Sequence, residues 1–244
     1  MSQPDIETVL HEISPEHAQF FADRLNPEPL DSELADRVFV EKDWTVLKHP
    51  LVFSVPYVPA LNKSLNQMFK QKTEALDRAI ASGSWETYVW LHERPYRVDA
   101  FCEILDTLDD TQYWELLAHI WIDSENIREN QETWEILLSS NRGSKHAFIG
   151  NIEGLAALPD EFTIYQGHTL DRDDGWSWTL DEPTALWFAR RFGLLEDATP
   201  IVTIATVRKS DVLAYREDRN EHEIIVSPDL VNIIRTYAPG EENQ

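Results

Sequence analysis

Residues 162–167 read FTIYQG, a short run of β-prone residues that a glycine ends. Further runs of this kind recur at residues 176–180, 201–207, 212–215 and 223–226. Enrichment in β-branched and aromatic residues predicts strands at these places. Between them, Pro183–Phe192 has helical spacing and is followed by Gly193, which predicts a helix that stops at the glycine. This part of the chain therefore predicts mixed helices and strands.

Towards the N-terminus, helical patterns replace the strand patterns. Only Gly83 precedes Gly143, which favours helices over turn-rich structure. Ser14-Pro15-Glu16 is typical of a helix start, and a second helix is expected to stop at Gly83. Apolar residues at helical spacing indicate these helices: Leu61, Leu65, Met68, Leu76, Ile80; Val98, Phe101, Leu105, Leu108; Trp114, Leu117, Trp121; Trp134, Leu137, Leu138. The apolar, proline-interrupted segment Val46–Val58 is expected to be irregular. We predict an α+β protein with a mostly helical region at residues 1–145 and a mixed domain at residues 146–244.

Composition narrows the classes of protein that fit. The chain has 21 Lys and Arg against 44 Asp and Glu, a formal charge of −23, which disfavours unaided binding to phosphate backbones. A single cysteine, Cys102, excludes a disulfide framework within one chain and is expected to be a core thiol. The first ten residues lack the basic and apolar regions of a secretory signal, so a soluble, cytoplasmic protein is expected.

Three short motifs follow one another in the second half of the chain. They are Tyr165-Gln166-Gly167, then Ser177-Trp178-Thr179, then Glu221-His222-Glu223. Each is weak alone, because charged or hydroxyl pairs are common on solvated strand faces. Together they supply a glycine that lets a ligand approach the backbone, a hydroxyl, and two carboxylates whose period-two spacing is expected to point them the same way.

In this order, the motifs resemble the catalytic half of an NAD-dependent ADP-ribosyltransferase of the Arg-Ser-Glu class. The resemblance runs from Phe162 to Val226, about a quarter of the chain. It includes Trp187-Phe188-Ala189 in the helix after the serine strand. The loop Arg216-Glu217-Asp218-Arg219-Asn220 would match the family's acceptor-recognition loop. The resemblance implies a mixed α/β domain with a split antiparallel β core, and NAD as substrate.

The family chemistry assigns roles to individual residues. Glu223 would stabilise the positive charge that develops on the ribose as the bond to nicotinamide breaks. Glu221 would orient or activate the acceptor as a general base. Ser177 would position the nicotinamide ribose or hold Glu223, and the Gly167 backbone would bind the nicotinamide carboxamide. The residues expected to bind NAD are Tyr165, Gln166, Gly167, Ser177, Thr179, Trp187 and Phe188.

Gln166 departs from the family pattern, which has arginine at this position. A neutral amide cannot make the bidentate charged contact of a guanidinium with a pyrophosphate. The candidates for that contact are Arg172, Arg190, Arg191 and Arg219, with His168 beside Gln166. For Arg190 and Arg191, a helix-capping role is equally open.

Metal sites have little support in the sequence. No His-Glu-x-x-His pattern is present, and no metal is expected. Asp171-x-Asp173-x-Gly175 is similar to a calcium loop but has Trp176 where that loop needs glycine, so an acidic turn is expected.

The function implied by the resemblance is mono-ADP-ribosylation of a macromolecular acceptor, protein or RNA/DNA, by a toxin or phage–host conflict effector. The partners implied are that acceptor and an antitoxin or inhibitor protein. No association with a membrane is expected. Two alternatives stay open: an NAD glycohydrolase, and a non-catalytic acidic interaction or inhibitor protein that keeps a degenerate transferase fold.

Overall fold

The computed structural model describes residues 27–124, 127–170, 175–217 and 221–240. They form helices and antiparallel sheets, which confirms the predicted α+β class. The chain divides into two compact units, Met1–Ile104 and Leu105–Gln244. The helix start predicted at Ser14-Pro15-Glu16 lies outside the described residues. Within the described ranges, no helix has the length and apolar character needed to cross a membrane.

The first unit combines a small sheet with helices. Its elements are α1 (Ser32–Ala35), β1 (Val38–Glu41), β2 (Trp44–His49), β3 (Phe53–Pro56), α2 (Asn62–Ser82), α3 (Trp85–Leu91) and α4 (Arg97–Glu103). The strands are antiparallel in the order β1-β2-β3. Leu34, Leu47 and Phe69 are among the buried residues that form a core between this sheet and α1 and α2. Helix α2 ends at Gly83 in the left-handed conformation, as predicted.

The expectation that Val46–Val58 is irregular is wrong, because this segment contains most of β2 and all of β3. Its prolines occupy positions that a sheet tolerates. Pro50 lies in the turn between the two strands, and Pro56 is the last residue of β3, an edge strand. An edge strand can lack a backbone N–H on its open side without losing a ladder hydrogen bond. The region expected to be mostly helical therefore contains a three-stranded sheet.

The second unit contains the larger sheet. Its elements are α5 (Asp110–Asp123), α6 (Gln131–Leu138), α7 (His146–Ile149), α8 (Ile152–Ala157), β4 (Glu161–Thr169), β5 (Ser177–Thr179), α9 (Glu182–Glu196), β6 (Pro200–Arg208), β7 (Ala214–Arg216), β8 (Glu223–Ile225) and β9 (Val231–Tyr237). The strand order is β7-β8-β5-β4-β6-β9, and every neighbouring pair is antiparallel.

The larger sheet is split, as the fold-class prediction stated. One half is β7-β8-β5, and the other is β4-β6-β9. The halves are joined between β4 and β5 by one residue pair, Tyr165 opposite Thr179. On one face, Ile164, Trp178 and Ile224 belong to a buried apolar core that spans both halves. The sheet therefore has a narrow junction next to the motif residues.

The compact units divide the chain at Ile104/Leu105, whereas the sequence suggested residues 145/146. The reason is visible in helix α5, which lies before residue 145. Its Trp114 and Trp121 rings pack against the Phe148 ring with centroids 5.9 and 6.3 Å apart, and the Trp121 N–H lies 3.3 Å from the Glu223 carboxylate of β8. Tertiary contacts thus tie this earlier helix to the sheet that follows it.

Two element boundaries and one whole strand differ from the sequence prediction. Helix α9 continues beyond Gly193 and is capped by Asp197 in the left-handed conformation. Strand β4 continues through Gly167 to Thr169, because the whole segment pairs with β6. Strand β9 was not predicted, although its sequence VNIIRTY is rich in β-prone residues; it forms the edge beside β6.

Candidate active site

A cleft of about 400 Å³ lies at the junction between β4 and β5, and we call it the β4–β5 cleft. This volume falls in the range of small-molecule sites. The sequence-predicted residues that line it are Tyr165, Gln166, Gly167, Ser177, Thr179, Phe188, Glu221 and Glu223. The fold thus brings three separate motifs to one cleft.

Glu223 is the first residue of β8 and is buried, with 7% of its surface exposed. Its carboxylate accepts a hydrogen bond of 2.5 Å from the Ser177 hydroxyl. The Trp121 indole N–H lies 3.3 Å from each carboxylate oxygen. Buried carboxylates require such donors, because their desolvation is otherwise costly. Glu223 is therefore held in one orientation from two sides.

Ser177 holds Glu223 through the pairing of β5 with β8, in which Ser177 lies opposite Ile225 and Thr179 opposite Glu223. Of the two roles that the resemblance left open for Ser177, the structure contains the contact with Glu223. Since a hydroxyl has one proton, Ser177 could only accept a hydrogen bond from a ribose hydroxyl while it donates to Glu223.

Glu221 lines the β4–β5 cleft from a turn before β8 and not from the strand that the spacing predicted. Strand β8 begins only at Glu223, and His222 has a φ of 48°, in the left-handed region. The expectation that Glu221 and Glu223 share a strand face is therefore wrong, because the chain turns between them. The Thr179 hydroxyl donates to the Glu221 carbonyl at 2.6 Å and thereby holds this turn. The role of Thr179 in binding NAD stays a prediction.

Gln166 connects the two halves of the sheet. It is 6% exposed, and its Nε2 donates to the carbonyls of Gly175 at 2.9 Å and Ser177 at 3.1 Å. Gly175 leaves room for this contact, since a Cβ there would lie 2.5 Å from Nε2. Both amide protons of Gln166 are therefore used inside the protein.

The candidates for a phosphate contact differ in position. Arg191 lines the β4–β5 cleft and lies over the Trp187 ring at 5.3 Å, whereas Arg190 is exposed and outside the lining. His168 is buried, with Nδ1 2.9 Å from the Thr169 carbonyl and Nε2 2.7 Å from the Thr203 hydroxyl. Arg172 and Arg219, like the predicted acidic turn at residues 171–174, lie outside the described residues.

Gly167 allows helix α9 to pack closely on β4. A Cβ at this position would lie 1.9 Å from the Ala185 carbonyl oxygen and 2.6 Å from the Ala189 nitrogen. The sequence interpretation, in which this glycine leaves space for a ligand, therefore missed a packing requirement. Gly167 also lines the β4–β5 cleft, so its backbone contact with nicotinamide stays a prediction.

Trp187 and Phe188 lie on different faces of α9. Phe188 lines the β4–β5 cleft, whereas Trp187 is 54% exposed and outside its lining. Successive helical residues are rotated by about 100°, and of this pair Phe188 is the one on the side of the cleft. The contact of Trp187 with NAD stays a prediction.

Two tryptophans of the site were not predicted. The sequence interpretation used Trp121 and Trp134 as apolar residues at helical spacing, and both are buried. However, Trp121 contacts Glu223, and Trp134 lines the β4–β5 cleft and packs edge-on against Trp121 with ring centroids 5.1 Å apart. Helical spacing indicates burial but carries no signal for a partner 102 residues away.

Acidic and aromatic side chains dominate the β4–β5 cleft. Its lining contains four glutamates, Glu129, Glu196, Glu221 and Glu223, while Arg191 is the one Lys or Arg among the described lining residues. Trp134, Tyr165, Trp176 and Phe188 contribute aromatic surface. Carboxylates and aromatic faces both attract cations, so this lining suits a cationic aromatic group.

A cluster of polar side chains holds the first residue after β7. Glu217 accepts from the Tyr215 hydroxyl at 2.7 Å and from the Asn151 amide, and its Oε1 lies 3.2 Å from His222 Nδ1. The hydrogen bonds from Tyr215 and Asn151 hold the pKa of the Glu217 carboxyl below its ordinary value. Burial, aided by Glu217, raises the pKa of Tyr215 to about 12. The cluster connects Glu217, near the start of the predicted acceptor loop, with His222, two residues beyond the end of that loop. Residues 218–220 of the loop lie outside the described part.

Comparisons of the chain with protein-family models, curated proteins and solved structures found no match.

Proposed function

We propose that this protein is an NAD-dependent mono-ADP-ribosyltransferase that moves ADP-ribose to a macromolecular acceptor. The observation that carries the proposal is the buried carboxylate of Glu223, held by Ser177 and Trp121 in a cleft that Glu221 also lines. The nicotinamide ring of NAD is a cationic aromatic group, which the acidic and aromatic lining of the β4–β5 cleft favours.

The proposed reaction breaks the bond between ribose C1′ and the nicotinamide nitrogen, and the bonding electron pair leaves with nicotinamide. Positive charge develops on the ribose, and the nearby Glu223 carboxylate stabilises it. Because Ser177 and Trp121 already orient this carboxylate, little reorganisation is required during the reaction. The acceptor nucleophile then bonds to C1′ and gives its proton to Glu221.

The charges of the cleft favour a cationic acceptor. Glu221 and Glu223 would attract a guanidinium or ammonium side chain, whereas the phosphates of a nucleic acid would be repelled by four glutamates in the lining. An arginine side chain of a protein therefore fits the described part of the site better than RNA or DNA does. A toxin or phage–host effector role remains the context that the sequence resemblance suggests.

The test follows label from tagged NAD into a cell extract, with Glu223→Gln beside the wild type. We expect Glu223→Gln to lower the transfer rate about a thousandfold, because the neutral amide cannot stabilise the developing charge. Glu161→Gln is the matched control, since Glu161 is an exposed residue outside the cleft lining. This variant removes the same charge and should retain activity.

Treatment of the products identifies the acceptor. Loss of label with protease but not nuclease is the expected result, and the reverse would assign a nucleic-acid acceptor. Nicotinamide release without transferred label would replace the proposal with NAD hydrolysis. If the wild type consumed no NAD, transfer would be excluded and the acidic interaction protein favoured.

A further inference from the structure

Two buried polar atoms of the β4–β5 cleft have no hydrogen-bond partner. In the described part of the chain, three buried side-chain polar atoms lack one: Gln166 Oε1, Trp134 Nε1 and Thr73 Oγ1. The first two belong to residues that line the cleft and are 6% and 1% exposed, respectively. Leaving a buried polar atom unpaired is costly, so two of them in one cleft require an explanation.

Neither atom can readily find a partner within its present surroundings. Rotating the Gln166 amide by 180° would place its oxygen against the carbonyls of Gly175 and Ser177, which can only accept. The Trp134 ring packs edge-on against Trp121, whose own N–H is directed at Glu223. The residues that line the cleft therefore carry one unpaired acceptor, at Gln166, and one unpaired donor, at Trp134.

Both atoms are linked to the proposed catalytic carboxylate. Gln166 donates to the carbonyl of Ser177, the residue whose hydroxyl donates to Glu223. Trp134 contacts Trp121, the second donor to Glu223. A ligand that lies against Glu223 is thus next to the two residues that carry the unpaired atoms.

We propose that Gln166 Oε1 and Trp134 Nε1 form a subsite for a neutral carboxamide. A carboxamide offers an N–H for Gln166 and a carbonyl for Trp134, whereas a phosphate or carboxylate has no proton to give to Gln166. The identification of this group with the amide of nicotinamide rests on the proposed function. With this assignment, Gln166 does not replace the family arginine as a phosphate ligand, because its unpaired atom, Oε1, accepts hydrogen bonds and cannot donate one.

The test compares three small probes by calorimetric titration of the full chain: nicotinamide, 3-acetylpyridine and nicotinate. 3-Acetylpyridine keeps the ring and the carbonyl but has a methyl group in place of the amide nitrogen. We expect it to bind about tenfold more weakly than nicotinamide, because Gln166 Oε1 stays unpaired. Nicotinate should bind more weakly still. Equal affinity of nicotinamide and 3-acetylpyridine, or no binding of nicotinamide, would overturn the subsite.

Trp134→Phe tests the donor separately. This variant removes an N–H that has no partner in the protein, so it should weaken nicotinamide about fivefold to tenfold. Trp114→Phe is the matched control, since Trp114 is equally buried but lies outside the cleft and donates to the Arg142 carbonyl at 3.4 Å. An unchanged nicotinamide affinity in Trp134→Phe would remove Trp134 from the subsite. The comparison of probes on the wild type stands even if a variant fails to fold.

The proposed function and the subsite can fail independently. If the probes rank as expected but no NAD is consumed, the subsite holds and the transferase proposal fails. If label transfer depends on Glu223 but the probes and Trp134→Phe show no discrimination, the transferase proposal holds and the subsite is wrong.

Discussion

Replacing Gly167 with alanine should destabilise the second unit, because the new methyl group has no space between β4 and α9. Its Cβ would lie 1.9 Å from the Ala185 carbonyl oxygen and 2.6 Å from the Ala189 nitrogen. Both contacts are with helix backbone, so no side-chain rotation can relieve them. Since real Cβ atoms essentially never approach closer than 3.0 Å, the helix and strand must separate by about 1 Å.

The size of the effect follows from this displacement. Overpacking a core costs about 1–3 kcal/mol when side chains can adjust, and sometimes more. Because backbone must move here, we expect a loss of about 3 kcal/mol in the free energy of unfolding. For a unit of this size, that corresponds to a fall of roughly 10 °C in Tm. Helix α9 also carries Phe188 and Arg191, so its displacement should change the β4–β5 cleft.

The assay is thermal and denaturant unfolding of the full chain, followed by circular dichroism. Gly143→Ala is the matched control in the same unit, because a Cβ there would approach the movable side chain of Asp110, at 2.9 Å from its Oδ2. That variant should change the free energy of unfolding by less than about 1 kcal/mol. If Gly167→Ala were as stable as Gly143→Ala, the packing argument for Gly167 would be refuted.

Two further predictions concern the network around Glu223 and a buried histidine. Ser177→Ala should lower kcat/KM for transfer roughly 10- to 100-fold, since hydrogen bonds to charged groups contribute about 1.5–3 kcal/mol. Trp121→Phe, which removes two longer contacts with Glu223, should lower it only about 3- to 10-fold in steady-state assays; the opposite ranking would contradict the assigned roles. Burial lowers the pKa of His49 from its ordinary value of 6.5, outweighing the opposite effect of the Glu33 carboxylate. The contribution of His49 to stability should therefore be complete above pH 6.5 and be lost as the pH falls through its folded-state pKa. In denaturant unfolding between pH 7.5 and 5, the free energy of unfolding should depend less on pH in His49→Asn than in the wild type. An identical dependence in wild type and variant would exclude His49 as the cause.

Local patterns were sufficient for much of the fold. The spacing of apolar residues and the stop at Gly83 predicted α2, because helix formation and its left-handed cap depend on neighbours within a few residues. Runs of β-branched residues likewise predicted β6 and β8. The segment Val46–Val58 failed because proline is read locally as a strand breaker, while its tolerance at a sheet edge depends on which strand lies beside it.

For the candidate site too, the sequence predicted some features and the tertiary structure decided others. The sequence alone selected Ser177, Glu221 and Glu223 and set their order along the chain. Only the tertiary structure decided that Trp121 donates to Glu223 and that Gln166 donates both amide protons to carbonyls at the sheet junction. It also decided that Trp187 is exposed outside the cleft lining. Periodicity reports which face of an element is buried, but a hydrogen bond between residues 102 positions apart depends on how whole elements pack, and no local pattern encodes that.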